Sequence, residues 1–296
     1  MRLSMPSGSI EGRYGYEKMF TLMKEAGFDA VDYSLCPMVK DDCMWNSDNY
    51  AELAREMRRA CDNAGFMINQ THAPFQFTPA QWDDEMSFTR MVRSLEIAGI
   101  IGADVEVVHP LHHFIYHGNE EEIFEKNMEY YSKLIPYARD FGVKIGVENM
   151  FQRDVRRKTL THDTCSTISE FLRYIDTLNS DQIVACLDVG HVGLPPQDDE
   201  AWDFIRALGH DRLKSLHVHD NNYQNDQHVL PFIGIMNWDE ITKALGEIDY
   251  DGDFTFEVGG SFLGRVDDEF FPTALKYMAD VGKHLMKKID AARPVK

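Results

Sequence analysis

Glu148, Asp188, His217 and Glu257 each close a short apolar run: Ile145-Gly146-Val147-Glu148, Cys186-Leu187-Asp188, Leu216-His217 and Phe254-Thr255-Phe256-Glu257. Apolar runs with an ionisable residue in last place are poorly explained by stability, because a buried carboxylate must be paired or bind a cation. Two earlier runs end in Thr71-His72-Ala73-Pro74 and Val107-Val108-His109-Pro110. Three carboxylates with one imidazole make a hard donor set, suited to Mn(II), Mg(II), Co(II) or Zn(II) rather than to copper or an iron–sulfur cluster. The alternative is a ring of solvated or salt-bridged strand-end residues.

Positioning these residues takes a repeated element. Eight apolar, β-branched runs, Arg2–Met5, Ala30–Leu35, Met67–Thr71, Asp104–His109, Lys144–Glu148, Ile183–Asp188, Leu213–His217 and Phe254–Glu257, read as strands. Between and after them lie helical windows: Glu17–Ala26, Asp48–Asn63, Trp82–Ile100, Glu120–Phe141, Thr167–Leu178, Glu200–Leu208, Trp238–Glu247 and Asp268–Ile289. Gly27, Gly65, Gly102 and Gly142 stand where helix C-caps are expected, and residues 6–16 read as irregular. Alternation of this kind implies parallel pairing, and no linker or shift in composition breaks it. The expectation is one α/β domain over residues 1–296, a single (β/α)8 TIM barrel, with a doubly wound open sheet as the alternative. In a barrel the strand ends converge at one mouth, so the four ligand candidates meet there.

Composition narrows the partner. The chain has 296 residues, 44% hydrophobic and 27% charged, with 30 Lys+Arg against 49 Asp+Glu, a net charge of −19. Such a charge repels a phosphate backbone, so the expected partner is a small molecule, with no nucleic acid and no membrane. No run of about 18 apolar residues and no signal-like N-terminus is present, and five cysteines without a Cys-x-x-Cys pair argue against a disulfide framework; the expectation is a cytoplasmic protein.

The string Leu216-His217-Val218-His219-Asp220-Asn221, followed by Asn225-Asp226-Gln227-His228, Gly234 and Trp238, resembles the strand-seven segment of sugar isomerase and epimerase members of the xylose isomerase-like barrel superfamily. That superfamily also holds inosose dehydratases and endonuclease IV. The resemblance covers nearly the whole chain. It implies one divalent ion, manganese first and Mg, Co or Zn next, on Glu148, Asp188, His217 and Glu257. It further implies that Glu148 and Glu257 exchange the proton of an enediolate, that His191, His72, His109, Asp154 and His219 meet a sugar or polyol, and that the protein is a homodimer or homotetramer. Departures stand at Tyr223, where ketohexose 3-epimerases carry arginine, and at Asp154, where they carry glutamate, so that substrate class is not implied.

Three other readings share these residues. A dehydratase differs only in where the enolate collapses. An endonuclease IV-like phosphodiesterase holds three zinc ions, and its ligand positions match His72, His109, Glu148, Asp188, His191, His217, Asp226, His228 and Glu257. A non-catalytic sugar-binding barrel would have no reason to keep three buried carboxylates. Lesser features are the basic run Arg153–Lys158, read as a solvated loop; Gly259-Gly260, a turn or a phosphate cradle; the loop His112–His117; and the aromatics Trp45, Phe75, Phe77, Trp82 and Phe151, divided between core packing and stacking on a sugar face.

Overall fold

A computed structural model describes residues 1–75, 83–112 and 115–294; Phe77, Trp82, His113 and Phe114 lie outside the described residues. Among these, ten strands form: β1 Leu3–Ser4, β2 Val31–Ser34, β3 Ile68–His72, β4 Val105–Val108, β5 Lys144–Glu148, β6 Phe151–Asp154, β7 Thr159–His162, β8 Ile183–Asp188, β9 Leu213–His217 and β10 Phe254–Thr255. Strands β2, β3, β4, β5, β8 and β9 pair in parallel in that order, and β1 pairs in parallel with β10. Parallel bridges Pro6–Asp32 and Val218–Phe256 join the two sets, so the eight parallel strands close into a barrel and the open-sheet alternative falls away. Strands β6 and β7 are an antiparallel hairpin inserted after β5.

Outside the sheet run α1 Gly8–Tyr14, α2 Tyr16–Ala26, α3 Tyr50–Ala64, α4 Glu85–Ile101, α5 Glu120–Phe141, α6 Ile168–Leu178, α7 Val189–Val192, α8 Ala201–Arg212, α9 Trp238–Glu247, α10 Gly260–Leu263 and α11 Phe271–Ala291. The amphipathic windows bury one face each; α6 buries Phe171, Tyr174 and Ile175, while α11 buries a longer stripe from Phe271 to Ile289. Gly27, Gly65, Gly102 and Gly142 end their helices in the left-handed conformation that the sequence led us to expect. One reading needs correction. Residues 6–16 are not irregular, because Ser7 O accepts from Ile10 and Glu11 N and starts α1. The basic run is exposed, as a solvated loop would be, and forms the turn of the β6–β7 hairpin, where Asp154 accepts from Arg156 N, Arg157 N and Arg157 Nη1. No described helix is long and apolar enough to cross a membrane.

Candidate metal centre

Strands β5, β8 and β9 and the segment after β10 deliver Glu148, Asp188, His217 and Glu257 to one mouth, their ligating atoms all within 4.8 Å of one another. Glu148 is 1% exposed, Asp188 and His217 not at all. His217 Nδ1 lies 3.0 Å from Glu148 Oε1 and 3.4 Å from Glu257 Oε2. Asp188 caps α7 by accepting from His191 N through Oδ1, and its backbone is clasped by Asn149, which donates Nδ2–H to Asp188 O and accepts from Asp188 N. One oxygen on each carboxylate, Glu148 Oε2, Asp188 Oδ2 and Glu257 Oε2, is buried without a well-formed hydrogen bond, although His109 Nε2 lies 3.0 Å from Glu148 Oε2. Buried acceptors are normally satisfied, so carboxylates left short of partners in one cluster fit a cation.

Histidines flank the quartet on both sides. His72 and His109 form a second set with Glu148, and His191, His219, Asp226 and His228 a third. Backbone carbonyls fix several tautomers: His72 Nδ1 lies 3.2 Å from Ala73 O, His191 Nδ1 2.9 Å from Asn149 O and His228 Nδ1 2.8 Å from Glu257 O. A carbonyl only accepts, so each Nδ1 carries the proton and Nε2 faces the mouth. His219 stacks on His228 with centroids 4.1 Å apart, and its Nε2 is 3.0 Å from Asp188 Oδ1. Gly190 is required beneath it, since a Cβ there would overlap the His219 ring.

The electrostatics separate the two glutamates. Burial pushes the Glu148 carboxyl upward, yet His217 and His109 hold it well below the usual carboxylate range. Burial raises Glu257, against the pull of His217 and His228. Burial also works against a charged His217, but Cys186, Glu257 and Glu148 raise it well above an ordinary imidazole. His228 loses by burial and gains more from Asp226, Glu257 and Asp188 together, reaching about 10, whereas burial drives His109 down to about 3.

Of the residues expected at the site, Glu148, Asp188, His217, Glu257, His72, His109, His191, His219, Asp226 and His228 come together in these sets. Asp154 does not: its carboxylate is taken up by the turn of its own hairpin and by Arg157. Phe75 packs 4.3 Å from the His109 ring and Phe151 4.9 Å from His191, while Trp45 is core, edge-on to Tyr33. His112 Nδ1 is 3.2 Å from the buried Asp163 carboxylate. Gly259 and Gly260 line a cavity of about 310 Å³ beside Glu257 and His228; a larger one, about 760 Å³, lies between Arg153, Lys158, Gly193, Glu200 and Tyr223. Asp32 and Gln70 went unnoticed in the sequence, yet both are buried against the far side of His217. The only signal was a polar side chain in mid-strand.

A family model described as xylose isomerase-like TIM barrel matches residues 20–281. The uncharacterized protein MJ1311 of Methanocaldococcus jannaschii is 28% identical over 191 residues, 63% of this chain, which spans 62% of that relative's length. The uncharacterized protein y4fM of Sinorhizobium fredii is 23% identical over 275 residues, 82% of this chain and 81% of that one. Among solved structures, a D-tagatose 3-epimerase-like protein superposes with TM-score 0.74 at 22% identity, covering 98% of this chain and 99% of that one. The 3-keto-D-glucoside 4-epimerase YcjR from E. coli gives 0.71 at 15%, covering 96% and 99%. At these identities the likeness shows a shared fold.

Proposed function

From membership in the xylose isomerase-like TIM barrel family, to which this chain belongs, we propose that the protein is a divalent-metal-dependent isomerase or epimerase of sugars or sugar phosphates. The observation that carries this is the quartet Glu148, Asp188, His217 and Glu257, with one oxygen on each carboxylate short of a well-formed hydrogen bond. An ion held there supplies Lewis-acid stabilisation of the negative charge that develops when a carbon beside a carbonyl loses its proton. Glu148, kept anionic by its histidines, accepts that proton, and Glu257 returns one to the neighbouring carbon or to the opposite face. His191 and His219 orient substrate oxygens, and Phe75 and Phe151 offer apolar faces to a sugar. Barrels of the same fold that carry 3-epimerase and 4-epimerase names support the class. The test is a panel of ketoses, keto-polyols and their phosphates in heavy water with Mn(II)-loaded protein, followed by NMR. Solvent deuterium should enter at the carbon next to the carbonyl together with a new epimer or isomer. Exchange followed by loss of water would move the protein to the dehydratases, and no exchange with any member would contradict the reading.

A second reading has a specific observation behind it. The flanking sets, His72 with His109 and His191 with Asp226 and His228, support a trinuclear phosphodiesterase. The net charge of −19 and the tying of Arg157 to Asp154 speak against a site for bent duplex DNA. Incision of an abasic-site duplex would decide in its favour.

A further inference from the structure

Asp32, in β2, is 1% exposed and faces the interior of the barrel below the quartet. Its Oδ1 has no hydrogen-bond partner, and among the described residues His217 is the only basic group within ion-pair range, with His217 Nε2 3.7 Å from Asp32 Oδ2. A buried carboxylate so placed is costly unless it answers to something. Gln70 sits between the two, donating Nε2–H to Asp32 Oδ2 at 3.3 Å and lying 3.0 Å from His217 Nε2. Its own carbonyl is taken by the Ser215 hydroxyl. The His217 ring is held in its plane by stacking on His72, centroids 5.4 Å apart.

An imidazole binds a cation only through a nitrogen free of its proton. Nδ1 of His217 points at Glu148 and Glu257, so the proton must reside on Nε2, and Nε2–H needs an acceptor. Gln70 presents a donor there and favours the wrong tautomer. Asp32 presents the acceptor. We propose that Asp32 is a positioning residue that selects the Nε2–H tautomer of His217 and aims Nδ1 at the ion, a role that rests on the metal-site reading above. A carboxylate behind a ligating histidine commonly governs metal affinity by about 10–100-fold.

The test is Co(II) binding measured against a chromophoric chelator, with the visible Co(II) spectrum and the melting temperature of the ion-free protein, for the parent, Asp32→Asn and Asp32→Ala. We expect affinity to fall about tenfold in Asp32→Asn, which keeps an acceptor oxygen without the charge, and towards a hundredfold in Asp32→Ala. The Co(II) bands should shift in both, and the ion-free melting temperature reports that each variant is folded. Unchanged affinity and spectrum in Asp32→Asn would overturn the assignment while leaving the metal site intact. Failure of the parent to bind Co(II) would overturn the site itself and this inference with it. If Asp32→Ala does not fold, Asp32→Asn alone decides.

Discussion

Glu106 and Glu148 stand on adjacent strands, both buried, and behave in opposite ways. Glu106 lies in mid-strand, where its carboxyl meets the Ser94 hydroxyl of α4; burial outweighs that hydrogen bond and the charge of His72 and raises it to about 8. Glu148 lies at the mouth, where His217 and His109 overcome the same burial and keep it ionised. Burial therefore does not mark a functional acid. What does is the set of imidazoles that keeps an acid charged in a place that would otherwise neutralise it.

The comparison breaks first at Glu148. Glu148→Gln should abolish ion binding and lower turnover by about 100-fold or more, as loss of a general base does; Glu106→Gln should leave both unchanged, as metal analysis and turnover of the two variants side by side will show. The ion-free mouth also holds a proton, on an imidazole. His217 is raised and so is protonated at neutral pH, and an ion must displace that proton; raising the pH removes the competitor, so the dissociation constant should fall about tenfold per pH unit for each proton released, readable by titration between pH 6 and 8. A smaller effect is expected of Gly190→Ala. The added methyl pushes on His219, should destabilise the fold by about 1–3 kcal/mol, and should lower the melting temperature.

The most gradual effect, spread over several pH units, returns to Glu106. Its folded-state value lies above its unfolded one, so between roughly pH 4.5 and about 8 the native state binds more protons than the unfolded state, and stability falls as pH rises. Glu106→Gln removes that dependence. Its stability relative to the parent should improve across that window by at most about 1.4 kcal/mol per pH unit and level off above it, as denaturant melts at several pH values will report.

Much of the barrel was legible because strand and helix periods differ and glycine marks the helix ends; β5, α5 and α9 fell within a residue or two of where the pattern put them. The strand-end histidines and carboxylates were legible for the same reason, since a closed parallel barrel brings strand ends together. The hairpin Phe151–Asp154 with Thr159–His162 was not, because its charged turn hides a two-strand period. Asp32 escaped because one acid in an apolar run looks the same whether it faces helix or barrel axis; Glu106 and Asp32 differ only in that direction. Asp154 misled because its likeness to a neighbouring family's glutamate says nothing of the turn that uses it.

Metal stoichiometry tests the central claim most directly: elemental analysis of protein purified without chelator, with Glu148→Gln and His228→Ala beside the parent. The account predicts about one Mn, Co, Mg or Zn per chain, absent in Glu148→Gln and retained in His228→Ala. Nearly three zinc per chain, diminished in both variants, would contradict the mononuclear reading in favour of the phosphodiesterase, and no metal under any loading would contradict both.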